Sequence, residues 1–321
     1  MPADPAKMML GDRDNARQLE LINKKYHFDQ PLLKQYILYL RDLSPISFHS
    51  EKPIYPSYFK IMDLNKYVLI LKMPYLRISF YQKDILVSEL ILSAFPNTLI
   101  LASLSIFFAL TIGVPLGLLA AFFKDKFIDK FISLFSVLGM SLPSFLAAVL
   151  IGYVFAYKLQ WLTNLNITGS LFIVDDVTGK PVLLLKNLIL PVFTLGIRPL
   201  GVIVHLTRTA IIDELSNDYI LLARSKGFSM FYVIIYHALK NSLTSVVTAA
   251  SGWFAGMFSG AVFIEYIYGW HGLGKLLVDG LLSVDFPLVM GIILVIATCF
   301  IVINILVDLI YIWLDPRVEI N

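Results

Sequence analysis

The chain has 321 residues, of which 58% are apolar types and 15% are charged, and its formal net charge is +3. This composition lies outside the range of soluble globular domains and inside that of membrane proteins. The small net charge, with Lys and Arg scattered along the chain, gives no support to nucleic-acid binding. The single cysteine, Cys299, excludes a disulfide and a cysteine metal cluster within this chain.

Residues 1–97 contain no continuous apolar run of membrane length. Helical periodicity marks residues 16–25 and 31–43, whereas the stretch 44–74, rich in Tyr, Lys and Pro, has no clean period. Residues 84–95 then predict an amphipathic helix that lies along the membrane surface and leads into Pro96. We therefore expect a small N-terminal region with an insertion near 44–74.

Five nearly uncharged segments follow, each long enough to cross roughly 30 Å of hydrocarbon as a helix. They cover residues 98–123, 131–157, 187–209, 242–264 and 288–314. The first two contain no Asp, Glu, Lys, Arg or His, which argues against buried helices of a large soluble protein. The sequence therefore predicts an all-α polytopic membrane protein with a transmembrane domain over residues 98–314.

The basic residues of the short loops predict the orientation of these spans. Lys124, Lys126 and Lys130 crowd the link between the first two spans, and such loops typically stay in the cytoplasm. Alternation then predicts a cytoplasmic loop at 210–241 and a cytoplasmic tail at 315–321. It also places residues 1–97 outside, although they contain no apolar segment to carry them across. We therefore expect a sixth helix upstream of Met1.

Arg198 lies inside the 187–209 span. A charge in hydrocarbon is costly and usually faces a bundle interior or a watery path. Lining of a translocation path and pairing with another group are equally good interpretations of Arg198. For Asp308, in the last span, a structural partner or an interface position is the better interpretation.

Small residues recur in the spans. Gly252, Gly256 and Gly260 are spaced by four residues and share one helical face, which predicts close packing against another helix. In the other spans, glycines and prolines predict bent helices around a cavity. The alternative interpretation is that they reflect only the ordinary enrichment of these residues in membrane helices. These residues are Gly113, Pro115, Gly117, Gly139 and Pro143.

Residues 269–275, reading GWHGLGK, have the spacing of a phosphate-binding loop. Leu276 replaces the Ser or Thr that would bind magnesium, and a membrane helix rather than a strand precedes the segment. His205, His237 and His271 lack metal-ligand spacing, and no HExxH motif is present. We expect a glycine-rich turn, no bound cofactor or metal, and no enzymatic activity in this chain.

Residues 218–241, reading DYILLARSKGFSMFYVIIYHALKN, form a patterned stretch between two spans. A start that includes Leu222 and Ala223, a glycine at 227 and an apolar-then-basic second half predict two short helices around a bend. Two short helices around a bend are more typical of a segment that contacts a partner protein than of a loop that is merely exposed to solvent.

This stretch resembles the EAA motif of permease subunits of bacterial ABC importers, in particular the oligopeptide, dipeptide and nickel branch. Leu221 and Leu222 depart from it, because they stand where the general motif has Glu and Ala. Further resemblance lies in Leu206-Thr207-Arg208 and in Glu265 followed by Gly272-Leu273-Gly274. The matching loop residues are Asp218, Tyr219, Ala223, Arg224, Lys226, Gly227, His237, Ala238, Leu239 and Asn241.

The resemblance implies a multi-pass permease subunit of the bacterial plasma (inner) membrane, with a cytoplasmic C-terminus. It would form half of a translocation path for small peptides or nickel. The implied partners are a second homologous permease subunit, cytoplasmic ATP-binding subunits, an extracytoplasmic substrate-binding protein and membrane lipid. The loop would bend at Gly227 and insert apolar side chains such as Phe228 into a groove on the ATPase. A channel and a membrane scaffold are the competing interpretations.

Overall fold

The computed structural model describes residues 19–20, 23–24, 28–49, 55, 58–64, 67–82, 85–174 and 179–314. Most of the helix expected at 16–25, and the whole tail at 315–321, lie outside these residues, as does the side chain of Asp308. The chain forms two compact units, one from 1–94 with 276–295 and the other from 95–275 with 296–321.

The described residues are predominantly helical. The helices are α1 Leu32–Leu43, α2 Val87–Phe122, α3 Phe127–Ser141, α4 Ser144–Ile151, α5 Gln160–Thr163, α6 Lys186–Glu214, α7 Asp218–Ser225, α8 Met230–Val233, α9 Leu239–Gly260, α10 Val262–Ile267, α11 Leu273–Leu282 and α12 Phe286–Leu314. Two π-helical segments, Gly152–Lys158 and Ile234–Ala238, follow α4 and α8. The strands are β1 Ile46–His49, β2 Tyr58–Leu64, β3 Tyr67–Lys72, β4 Phe172–Val174 and β5 Pro181–Leu183.

The N-terminal part of the first unit contains a small sheet that the sequence analysis did not predict. The strands β1, β3 and β2 lie in this order and are antiparallel, so the predicted helical membrane fold is confirmed with a small sheet added to it. The sequence pattern did not predict the sheet because β3 is almost continuously apolar and β2 shifts register between Lys60 and Met62. Neither strand therefore shows the alternation that marks a half-buried strand.

An ion pair lies between α1 and the segment that follows β3. Arg77 Nη2 lies 2.9 Å from Asp42 Oδ2, and Tyr55 Oη donates a hydrogen bond of 3.0 Å to Asp42 Oδ1. Burial, together with the Asp42 carboxylate, raises the pKa of Tyr55. Asp42 therefore joins three parts of the N-terminal region that are distant in sequence.

Three helices are long and apolar enough to cross a membrane, and they cover Val87–Phe122, Lys186–Glu214 and Phe286–Val307. The first starts well before the predicted residue 98, so the amphipathic stretch and the span are one helix rather than two. The predicted span 242–264 is helical as α9 and α10, but it carries too many Ser and Thr to qualify by the same measure.

The predicted span 131–157 is not one straight helix. α3 and the helical stretch Ser144–Lys158 meet at an angle of 109°, so the pair is a broken span or a re-entrant loop. Leu142 is extended, with φ −75° and ψ 128°, and Pro143 follows it. Proline has no N–H to donate and disfavours helical geometry in the residue before it, which explains the break.

Helix α6 is the central element of the second unit. In the most apolar 18-residue window of each helix, the share of buried residues is 56% in α6, 28% in α2 and 22% in α12. Glycines permit its close contacts with α2 and α3. A Cβ placed on Gly117 would lie 2.6 Å from Thr207 Cβ, and one on Gly201 would lie 2.6 Å from Ser136 O. Gly113 and Gly139, which also suggested bends around a cavity, likewise lie close to α6.

We predict that Gly117→Ala destabilises the protein by about 1–3 kcal/mol, because the added methyl overpacks a tight helix contact. The nearest atoms, Thr207 Cβ and Val204 O at 2.7 Å, cannot move aside cheaply. Gly256→Ala is the matched control, since no atom lies within 4 Å of a Cβ there. Thermal unfolding of the detergent-solubilised protein should show a lower midpoint for Gly117→Ala and an unchanged or higher one for Gly256→Ala. Equal midpoints would contradict the packing role of Gly117.

Candidate functional site

The 218–241 stretch contains two short helices around a bend, as predicted. α7 ends at Ser225 and α8 begins after Ser229, whose Oγ accepts a hydrogen bond from Tyr232 N at 3.3 Å. Gly227 lies between them with φ +87°, and no atom lies within 4 Å of the position a Cβ would take. Glycine is therefore favoured here by backbone conformation rather than by crowding.

The boundaries of the predicted loop are corrected on both sides. α6 continues to Glu214, five residues beyond the predicted end of its span. On the other side, α8 passes through the π-helical segment Ile234–Ala238 into α9, where Leu239 N bonds to Ile234 O. The predicted site residues His237, Ala238 and Leu239 therefore lie in a continuous helix, not in a loop.

One side of this stretch is anchored to the bundle. Its apolar side chains pack with buried residues of α2 and α6, including Ala121 and Ile211. Ala223, a residue of the motif, is among them and is 7% exposed. The anchored residues are Ile220, Ala223, Val233, Ile234 and Ala238.

The opposite side is exposed and apolar. Leu221 and Leu222, the two departures from the motif, are 68% and 57% exposed. Phe228, Tyr232 and Tyr236 form a stack with ring centroids 5.0 and 4.5 Å apart. Several exposed apolar and aromatic side chains within one short stretch are typical of an interaction surface.

The charged residues of the motif are exposed beside this patch. Asp218 lies in the first turn of α7 and Arg224 in its last, which complements the helix dipole at each end. Lys226 follows as the C-cap. His237 lies beside the aromatic stack, its ring centroid 6.0 Å from that of Tyr232.

A three-residue polar cluster joins the two ends of the stretch. Tyr219 Oη donates to Glu214 Oε1, while Asn241 Nδ2 donates to the same Oε1 at 2.8 Å and to Tyr219 Oη at 3.1 Å. The cluster thus connects the end of α6, the start of α7 and the start of α9. The resemblance pointed to Tyr219 and Asn241 but missed Glu214, since nothing in the sequence indicates that α6 extends that far.

A second polar contact holds the link between α2 and α3. Arg208 on α6 makes a bidentate ion pair with Asp129, with N–O distances of 2.6 and 2.7 Å. Asp129 also accepts a hydrogen bond of 2.8 Å from Asp125 N. The basic link that predicted the orientation is therefore fixed to the same helix that carries Glu214.

A cavity of about 460 Å³ lies between α4, α6, α9 and α10. Arg198 lies on its wall, with Cζ 5.8 Å from the centroid of the Trp253 ring. The buried Nε of Arg198 has no hydrogen-bond partner among the described residues. The lining residues are Ser144, Thr194, Leu195, Arg198, Ala249, Gly252, Trp253, Gly256, Met257, Gly260 and Ile264.

The glycine face of α9 lines this cavity and does not pack against a helix of the described chain. No atom lies within 4 Å of a Cβ placed on Gly252, Gly256 or Gly260. The prediction that this face packs closely against another helix is therefore not confirmed within the described part of this chain. Small residues on a helical face permit close approach, but here they leave space unfilled.

The glycine-rich turn at 269–275 binds a carboxylate of its own chain. Glu265 is fully buried and accepts hydrogen bonds from Gly274 N at 2.6 Å, Lys275 N at 3.3 Å and Thr98 Oγ1 at 2.7 Å. A Cβ on Gly272 would lie 2.4 Å from the Glu265 carboxylate, so a side chain there would displace it. The phosphate-loop spacing thus reflects a loop that encloses Glu265.

Glu265 lies on α10, directly after the predicted 242–264 span. The resemblance included Glu265 without a role. Its hydrogen bonds with Thr98, Gly274 and Lys275 indicate that it holds the loop against α2.

Comparison with known proteins agrees with this architecture. Residues 113–320 match the family described as "Binding-protein-dependent transport system inner membrane component". A Brucella abortus protein named as a peptide transport system permease is 33% identical over 99% of this chain and 90% of its own length. The "Probable D,D-dipeptide transport system permease protein DdpB" of Escherichia coli is 30% identical over 99% of this chain and 89% of its own.

A solved structure has the same fold. The MetNI methionine ABC transporter in an inward-facing conformation has a chain that matches 70% of this one and 95% of its own length. The TM-score is 0.56 at 16% sequence identity. Together with the sequence matches, these findings show that the chain belongs to the family of inner-membrane components of binding-protein-dependent transport systems.

We predict that Glu265→Gln destabilises the protein by about 1–3 kcal/mol, because one carboxylate oxygen becomes an NH2 group that cannot accept a hydrogen bond. Thermal unfolding of the solubilised protein should show a lower midpoint for this variant.

A second variant guards against a Glu265→Gln protein that fails to fold. Thr98→Val removes one donor to the same carboxylate and should lower the unfolding midpoint by a smaller amount. An unchanged midpoint in both variants would contradict the role of Glu265 in holding the loop.

Proposed function

We propose that this member of the family is a permease subunit of an ABC importer for small peptides. It would take its substrate from an extracytoplasmic binding protein and form the translocation path with a second, homologous permease. The 218–241 stretch and the C-terminal tail would face the cytoplasm, where ATP-binding subunits dock. The phosphate-loop spacing at 269–275 lacks the Ser or Thr of a nucleotide site, so we take the energy for transport to come from those subunits.

One observation carries the docking proposal: the 218–241 stretch is anchored on one side and exposes an apolar, aromatic surface on the other. Anchoring by Val233 and Ile234 makes it rigid enough to transmit a movement, and the exposed Leu222 and Phe231 give a partner something to bind. A channel does not need such a surface, and a scaffold does not need the cavity that Arg198 lines. The two leucines at the departures from the motif would make an apolar contact where other members have Glu and Ala.

Helix α6 supports a mechanical connection between this surface and the cavity. Arg198 and Glu214 lie on the same helix, about 24 Å apart at the usual rise per residue. Movement of the docked ATPase would act on Glu214 through Tyr219 and Asn241. Transport would then be a conformational change of the helix bundle, biased by the nucleotide state of the partner.

Peptides are preferred as substrates because the relatives named above are peptide and dipeptide permeases. The cavity of about 460 Å³ lies within the range of roughly 300–1,000 Å³ typical of small-molecule sites. Nickel is the second candidate, since its importers share the loop motif. The test compares uptake of dipeptides, longer peptides and nickel by a strain that lacks this chain with uptake by the same strain after the chain is restored. Restoration of nickel uptake alone would overturn the peptide proposal.

We predict that Gly227→Val reduces peptide uptake at least tenfold while the protein still inserts into the membrane. A β-branched residue is strained at φ +87°, so the bend between α7 and α8 would change. Gly227→Asn is the matched control, because Asn tolerates positive φ better, and it should retain most of the uptake. The uptake assay should be paired with ATP hydrolysis by the complex. Normal uptake in Gly227→Val would contradict a role for the bend.

We also predict that the double variant Phe228→Ser, Phe231→Ser weakens binding of the ATPase subunit at least tenfold, since exposed aromatic side chains are frequent binding hot spots. Copurification of the ATPase at graded concentrations measures this. Tyr157→Ser, which removes a comparably exposed aromatic residue outside the 218–241 stretch, should leave it unchanged. Equal losses in both variants would indicate a general defect rather than a docking surface.

A further inference from the structure

The side chain of Arg198 is incompletely satisfied within the described chain. Its buried Nε–H has no acceptor, and its nearest described partner is the Trp253 ring. The face of an aromatic ring attracts a cation but does not replace the oxygen that a buried N–H requires. A buried donor without an acceptor is destabilising, so an arginine at this position favours an acceptor that enters the cavity from outside the described chain.

The surroundings of Arg198 favour an anion as that acceptor. Among the described residues that line the cavity, Arg198 is the one charged side chain, so no carboxylate there competes for it. Ser144 lines the same cavity, and its hydroxyl makes no hydrogen bond within the described part of the chain. Thr194, by contrast, is already bonded to Leu190 O at 2.7 Å and to Tyr268 Oη at 2.9 Å.

The remaining wall is apolar and leaves room beside the guanidinium. Leu195, Met257 and Ile264 provide an apolar lining, and the bare glycine face of α9 adds space instead of side chains. A ligand with one carboxylate and small apolar groups matches this arrangement of one cation and an apolar chamber. Arginine is suited to such a ligand because its planar fork binds a carboxylate through two parallel hydrogen bonds.

We propose that Arg198 binds the terminal carboxylate of the transported peptide, with the Ser144 hydroxyl as a second donor. The cavity is then a binding station within the permease, and the peptide's side chains lie against the glycine face of α9. This inference rests on the proposed function, because it takes the transported substrate to be a peptide. It differs from a role in assembly, in which Arg198 would pair with a carboxylate of the second permease.

The experiment uses the purified permease–ATPase complex without its binding protein, so that only sites on the complex are measured. The probes are radiolabelled alanyl-alanine and its C-terminal amide, which differ in the carboxylate. The unchanged complex should bind the free acid at least tenfold more tightly than the amide. Arg198→Gln should remove this preference, Arg198→Lys should keep part of it, and Lys180→Gln, which removes an exposed cation elsewhere, should keep all of it.

Three results would overturn the inference. They are equal binding of acid and amide by the unchanged complex, retained preference in Arg198→Gln, and no detectable binding of alanyl-alanine up to about 10 mM, a concentration that reveals very weak sites. Loss of complex assembly in Arg198→Gln on size-exclusion chromatography would assign Arg198 to subunit pairing instead. ATP-driven uptake from loaded binding protein, measured in vesicles, tests the proposed function separately, so failure of the inference is distinguishable from failure of the proposed function.

Discussion

The close approach of α6 to its neighbours is the constraint on which the second unit depends. A helix that carries Arg198, Arg208 and Glu214 cannot be placed in a bundle by apolar side chains alone. Because Gly117 and Gly201 have no side chains, α2 and α3 can lie close to α6, with Val204 O and Ser136 O near the two glycines. Such contacts are effective in a membrane, where association relies on van der Waals packing rather than on exclusion of water. This packing leaves Arg198 free to line the cavity and lets Arg208 and Glu214 contact the connecting segments.

Polar contacts at the two ends of the bundle act differently from this packing. The Asp129–Arg208 pair and the Glu214 cluster hold connecting segments to α6 at one end, whereas Glu265 holds a glycine-rich turn to α2. Each joins residues far apart in sequence through a carboxylate that accepts several hydrogen bonds. A carboxylate is suited to this task because its two oxygens accept several bonds at once. The cavity, in contrast, contains an arginine without such a partner.

The sequence predicted the membrane class, the approximate spans and the two helices around Gly227, because length, apolarity and a glycine at a bend are local signals. It did not predict which glycines pack. The regular spacing of Gly252, Gly256 and Gly260 indicated a packed face, but contact depends on which way a helix faces, and this one faces the cavity. Gly117 and Gly139 suggested bends, yet they lie against α6. Glu214 and the small sheet were missed because their roles depend on partners distant in sequence.

The π-helical segment Ile234–Ala238 determines which way the glycine face of α9 points. Its widened turn takes up one residue more than a regular α-helical turn does, with little change in the direction of the helix face that follows. If the same number of residues were wound as a regular α-helix, Gly252, Gly256 and Gly260 would be rotated by about 100°, away from the cavity wall. Deleting one residue from the segment would restore regular winding and leave the three glycines facing the cavity. The shape of the chamber thus depends on a widened turn before the first residue of α9.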